Sequence, residues 1–211
     1  MMSFIALDNN CYLTFVLQRN KVWLPKIELF LNNLPFNSLR PVINKRSRDY
    51  VVLFALAIEN LLSDKYSREL LLKYSKSKSV KNKEKLKLFV NVVDENQFEQ
   101  VIESCLLVLR KSKEFFHLIV QNSLFVRKLI DGEKIKFLDL GRKKNSFSSK
   151  LFKTDSEDAI MVEELFAIKE KKFLKGSLYS EDIELIELAG KENTRKTLGL
   201  KISHIKELHA A

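Results

Sequence analysis

The sequence predicts an α+β, predominantly helical fold, with an N-terminal hairpin, central strands with long helices, and a helical C-terminal segment. Three observations lead there. The 211 residues include only 5 Gly and 3 Pro, too few tight-turn residues for a barrel or sandwich assembled from hairpins. A hydrophobic content of 45% is ordinary for a chain that buries a core. The apolar period also changes along the chain, from alternation typical of strands to the 3.6-residue period of helices.

The elements follow in order. Phe4-Ile5-Ala6-Leu7 and residues 11–17 are rich in strand formers, and Asp8-Asn9-Asn10 between them supplies turn chemistry. Pro25 suits the first turn of a short helix with Ile27, Phe30, Leu31 and Leu34 on one side. Pro35 and Pro41 bracket a connector. Residues 51–62 are apolar at nearly every position, which predicts a central core helix. Ser63 caps a continuation carrying Tyr66, Leu70 and Tyr74, which fades into a serine-lysine loop at 75–79. Leu86, Leu88, Val90 and Val92 alternate with Lys85, Lys87, Phe89 and Asn91 and predict a strand with one buried face. A capping box at 94–97 opens a helix with Phe98, Val101, Ile102, Cys105 and Leu109 inward. Its pattern runs to Ile130, long enough to predict a break near 111–113 or 121–123. Asp131-Gly132 is a turn, and 135–140 is a strand. A second capping box at 154–157 starts a helix to about Lys172, and Ser180 caps another that stops at Gly190. The organisation predicted is a basic α+β domain at 1–141, a basic linker or loop at 142–153, and a small helical subdomain at 154–211.

Charge is the main functional signal. Residues 1–153 carry 28 Lys+Arg against 15 Asp+Glu, and residues 154–190 carry 4 against 10. Between 73 and 87 stand seven lysines (73, 76, 78, 81, 83, 85 and 87) opposed by Glu84 alone. A body this positive attracts polyanions. Lysine amines neutralise a nucleic-acid backbone and release counterions without reading sequence. The candidate contacts are Lys73, Lys76, Lys78, Lys81, Lys83 and Lys85, the cluster Arg40, Lys45, Arg46 and Arg48, and Arg142, Lys143 and Lys144. Arginine adds bidentate phosphate binding. A rival reading makes the ladder a solvated guard on an edge strand, and the 45–48 run serves equally as a nuclear-localisation signal.

No catalytic, cofactor or metal motif is evident. The glycines stand alone and none forms a nucleotide-binding glycine pattern, which argues against a phosphate-cradling glycine loop. Cys11 and Cys105 sit among apolar neighbours and read as buried, reduced thiols, which places the chain in cytoplasm or nucleus. There is no signal-peptide pattern or membrane-length apolar run. His117, His204 and His209 are scattered. A cation-dependent nuclease on Asp131, Glu133, Lys134 and Asp139 is a minor reading. Residues 180–208 have the outline of a helix-turn-helix.

At the N-terminus, a strand, a short turn, Val22-Trp23-Leu24, Ile27-Glu28-Leu29-Phe30 and Val42-Ile43 succeed one another. This succession resembles the amino-terminal domain of BRO proteins, DNA-binding proteins of large DNA viruses such as baculoviruses. The resemblance covers residues 4–60. Where the family has Ala-x-Asp-Val and Leu-Gly-Tyr, this chain has Pro25-Lys26-Ile27 and Leu31-Asn32-Asn33. It implies nucleic-acid binding, with Trp23 in the core. The expectation is therefore a non-enzymatic nucleic-acid-binding protein. The alternative is a protein-interaction or assembly subunit whose basic body and acidic C-terminal helices bind protein partners or other copies of itself.

Overall fold

A computed structural model describes residues 3–34, 39–90, 95–141, 156–190 and 199–208. The fold is α+β and predominantly helical, with nine α-helices and five strands among the described residues. The chain forms two compact units. Residues 1–15, 19–49 and 129–211 make the first, and residues 16–18 with 50–128 make the second.

The first unit is built on one sheet. Its strands are β1 (Ser3–Leu7), β2 (Leu39–Asn44), β3 (Lys136–Leu138), β4 (Lys175–Ser180) and β5 (Leu200–His204). Their order is β3-β2-β1-β4-β5, and every pairing is parallel. Parallel neighbours cannot be joined by tight hairpins, so helices make the crossovers. Helices α1 (Asn9–Val16) and α2 (Leu24–Asn32) link β1 to β2, α8 (Ser156–Lys172) precedes β4, and α9 (Ile183–Gly190) links β4 to β5. In the central strand β1, Phe4, Ile5, Ala6 and Leu7 are all buried, as a parallel strand covered on both faces requires. Met161, Val162, Leu165 and Phe166 of α8 pack with Phe4, Val42, Leu178 and Ile202 in one core cluster. Gly176 pairs with Phe4, and a Cβ there would lie 2.4 Å from the Phe4 ring and 2.8 Å from Leu200 Cδ1. The sheet closes there only around a residue without a side chain.

The second unit is helical. It takes most of α3 (Lys45–Ser63) and α7 (Lys113–Asp131), together with α4 (Lys65–Ser77), α5 (Val80–Val90) and α6 (Glu95–Leu109). Asp64 caps α4, its carboxylate accepting from the Ser67 N–H at 2.7 Å. Lys78 ends that helix in the left-handed conformation, φ 48°. Among the described residues no helix is long and apolar enough to cross a membrane.

Several expected elements are corrected by these observations. The N-terminal hairpin is absent, because residues 11–17 mostly lie in α1. Cys11, Tyr12, Phe15 and Val16 are buried on one helical face, and that burial overrides their strand propensity. Asp8 is no hairpin turn; it starts the helix, its Oδ1 accepting from the Asn9 N–H at 2.6 Å. The alternating segment at 86–92 is helical through Val90. Leu86 and Val90, four apart, are buried, while Leu88 is 84% exposed. The loop at 75–79 is shorter than expected, since α4 runs to Ser77. Of the expected connector between Pro35 and Pro41, residues 39–41, with Arg40 and Pro41, begin β2, and residues 35–38 lie outside the described residues. The C-terminal segment is not wholly helical, for β4 and β5 join the sheet beside β1. Ser203 therefore lies in a strand followed by a short 3-10 turn (Ile205–Glu207), and the helix-turn-helix outline at 180–208 is lost. The core helix at 51–62, the strand near 136–138 and the break at 110–112 between α6 and α7 match expectation.

Candidate functional site

The basic candidates fall into both units, and their surroundings separate them. In the first unit Arg40 is exposed on β2. Lys45 lies 4.0 Å from Asp139, Arg46 pairs with Glu157, and Arg48 stacks over the Phe137 ring at 4.2 Å. Lys45 and Arg46 thus face carboxylates within their own unit, whereas Arg48 keeps its charge over an apolar ring. Arg142, Lys143 and Lys144 lie outside the described residues.

In the second unit the ladder occupies α4 and α5, where it divides. Lys78 lies 3.5 Å from Glu99, Lys83 pairs with Glu95 and lies 3.6 Å from Glu99, and Lys87 lies 3.3 Å from Glu95. The same three amines sit over aromatic faces, Lys78 on Tyr74 at 4.9 Å, Lys83 on Phe98 at 5.7 Å and Lys87 on Phe98 at 6.0 Å. The Tyr74 hydroxyl donates to Glu99 Oε1 at 2.8 Å. Partial burial, then Glu99, pushes Tyr74 up to about 12. Burial works against the Glu99 carboxylate, but the Tyr74 hydrogen bond and the charges of Lys78 and Lys83 outweigh it and hold Glu99 below its ordinary range. These lysines belong to the packing of α4, α5 and α6.

Lys73, Lys76, Lys81 and Lys85 are different. All four are exposed, and none has an ion pair among the described residues. Lys73 and Lys76 share a face of α4 at i, i+3, and Lys81 and Lys85 share a face of α5 at i, i+4. The expected phosphate contacts thus reduce, in this unit, to two short lysine rows on adjacent helices.

Sequence reasoning missed a second constellation, at the point where the strand order of the sheet reverses. The chain winds from β1 to β2 and β3 on one side, then returns to place β4 and β5 on the other. In open parallel sheets the crevice beyond the strand ends at such a reversal is where ligands bind. Leu7 and Tyr179 are register partners at the ends of β1 and β4, so Asp8 and Ser180 emerge together. The Ser180 hydroxyl donates to Asp8 Oδ2 at 2.6 Å and accepts from Asn10 Nδ2 at 3.0 Å and the Asp182 N–H at 2.9 Å. Asn10 Oδ1 accepts from the Glu181 N–H at 3.3 Å. Asp8 is 6% exposed. Burial first, with Asp182 and Glu181 adding repulsion, pushes its carboxyl up to about 6 against the hydrogen bonds from Ser180 and Asn9. Asn9 Oδ1 and Glu181 Oε1 are buried without a partner among the described residues. Asp182 also caps α9, accepting from the Glu184 and Leu185 N–H groups at 2.8 and 3.2 Å. The nearby Cys11 thiol is pushed well up by burial and by these acids, which makes it an inert group. The signal in the sequence was a short, wholly apolar run ending in Asp, the mark of a fully covered strand delivering a carboxylate to the sheet edge.

The minor nuclease candidates do not gather. Asp131 ends α7, Glu133 sits in a left-handed turn at φ 55°, and Asp139 faces Lys45 and the Gly141 N–H. Among the described residues no three His, Cys, Asp or Glu side chains are placed to hold a metal ion. His204 is structural, its Nδ1 accepting from the Lys206 N–H at 3.0 Å and its ring packed edge-on against Trp23 at 4.9 Å. Cys11 and Cys105 are buried and free.

The fold and this geometry define a class, a parallel sheet wound by helices with a carboxylate at its crossover, carried with a helical, lysine-bearing unit. No family model, curated protein or solved structure matches the chain.

Proposed function

We propose that the protein binds nucleic acid, holding its phosphate backbone with Lys73, Lys76, Lys81 and Lys85. The observation that carries this reading is the division of the ladder. The neighbours Lys78, Lys83 and Lys87 lie beside the carboxylates of Glu84, Glu95 and Glu99, whereas these four are exposed with no carboxylate partner among the described residues. The resemblance of residues 4–60 to the amino-terminal domain of BRO proteins points to the same ligand class. Sizing the purified protein with and without nuclease treatment tests the proposal. Nucleic acid that co-purifies and is removed by the nuclease supports it. A defined oligomer that resists the nuclease, with no bound nucleic acid, replaces it with the protein-interaction reading.

A second reading is favoured by Asp8. A buried carboxylate with the charge of Asp182 close by, at the crossover of the first unit's sheet, offers at most a two-carboxylate site. Such a site could hold a divalent cation against a phosphate ester and so promote its hydrolysis. Mg²⁺ is commonly held by one or two carboxylates, waters and substrate phosphates without a dedicated protein cage. Incubating a labelled strand with Mg²⁺ tests this. Cleavage that disappears in Asp8→Asn while binding persists supports it, and absence of Mg²⁺-dependent cleavage by the native chain removes it.

A further inference from the structure

Within the second unit, a cavity of about 580 Å³ opens between the α3–α4 corner and the turn from α6 to α7. That size lies within the 300–1,000 Å³ typical of small-ligand pockets. Val108, Leu109 and Val120 give it an apolar floor. Phe116 forms a wall, with the Arg68 guanidinium 5.7 Å from its ring centroid and the His117 ring 5.4 Å away, edge-on. Arg68 is held in place, because it donates to the carbonyl oxygens of Leu62 and Ser63 that end α3. Lys111 and Lys113 complete the rim. Among the described residues no acidic side chain lines the cavity; Glu114, next in sequence to the lining residue Lys113, is hydrogen-bonded to Ser112 and close in charge to His117.

We propose that this cavity holds one nucleotide, its base against Phe116 and the Arg68 guanidinium and its phosphate on Lys111 and Lys113. Aromatic rings and guanidinium planes are the two protein surfaces on which unpaired bases stack. A free nucleotide and an unpaired nucleotide of a strand share this chemistry. The strand version deepens the nucleic-acid reading above, adding a preference for single strands at a site distinct from the α4–α5 lysines.

The test is titration of the whole chain with adenosine monophosphate, with inorganic phosphate as the control, following the His117 ring resonances. Saturable shifts with the nucleotide that phosphate does not reproduce are expected. Phe116→Leu, which keeps apolar bulk but removes the stacking face, should weaken the nucleotide by fivefold or more. Lys111→Gln with Lys113→Gln should do so too, and these exposed positions keep the proposal testable if Phe116→Leu unfolds. A parallel loss for a short single-stranded oligonucleotide assigns the pocket to a strand, and a loss confined to the monophosphate assigns it to a free nucleotide. The proposal is overturned if the monophosphate shifts His117 no more than phosphate does, or if the folded variants bind it as the native chain does. Salt-dependent binding through the α4–α5 lysines would survive that result, and loss of that binding would leave this pocket standing.

Discussion

Replacing Asp8 by Asn should stabilise the first unit at neutral pH, although the change removes a buried, hydrogen-bonded group. Asp8 is raised from 3.8 to about 6 in the folded chain. An acid whose folded pKa lies above its unfolded value binds more protons when folded, so between those values stability falls as pH rises. The penalty is absent below pH 4 and complete above about pH 6. At 1.36 kcal/mol per pKa unit it amounts to about 3 kcal/mol. The amide removes that penalty but weakens the bonds from Ser180 and Asn9, which are stronger to a carboxylate. A net gain of about 1–2 kcal/mol at pH 7.5 is expected, with no gain at pH 4. Urea unfolding at a series of pH values, followed by fluorescence of the single tryptophan, Trp23, reads the first unit directly. A midpoint that rises at pH 7.5 but not at pH 4 would mark Asp8 as a carboxylate kept at the crossover against stability, as reactive groups often are. Equal destabilisation at both pH values would refute the reasoning and make Asp8 a helix-starting residue only.

Other outcomes follow from packing. Gly176→Ala should destabilise by about 1–3 kcal/mol, since its Cβ would strike Phe4 and Leu200; a neutral urea midpoint would contradict the close pairing of β1 and β4. Leu86→Ala should cost about 2–5 kcal/mol and Leu88→Ala almost nothing, because α5 buries the first and exposes the second. Equal effects in thermal unfolding would restore a strand at 86–92. Asp64→Ala should cost about 1 kcal/mol through loss of the α4 cap, measured as a lower urea midpoint. Cys11 and Cys105 should resist a thiol reagent until the chain unfolds, since burial raises both thiols; rapid labelling of the native chain would contradict their burial.

How much of this was legible in the sequence depended on whether local pattern and tertiary environment agreed. Helix α3 was plain because residues 51–62 are apolar nearly throughout, and α2 because Ile27, Phe30 and Leu31 repeat at helical spacing and are the residues buried. Strands β2, β4 and β5 were not. Parallel strands need not alternate, β2 contains Pro41, and β4 contains Gly176, whose role appears only when Phe4 is placed against it. In α5 the alternation of lysine and leucine imitated a strand, though only the pair at i, i+4 is buried. The ladder was visible as charge, but not which lysines remain open, for that is decided by Glu95 and Glu99 arriving from α6. Asp8 and Ser180 are 172 residues apart in the chain, and nothing local announces their meeting.

The salt dependence of nucleic-acid binding tests the central claim most directly. Four phosphate contacts predict a slope of log affinity against log salt of about −3 to −4, a loss of about a hundredfold between 50 and 200 mM. Changing Lys73, Lys76, Lys81 and Lys85 to Gln should remove most of that slope. The matched change at Lys78, Lys83 and Lys87 should lower stability and leave the slope nearly intact. A slope that is unchanged by the first set, or that falls equally with the second, would contradict the account.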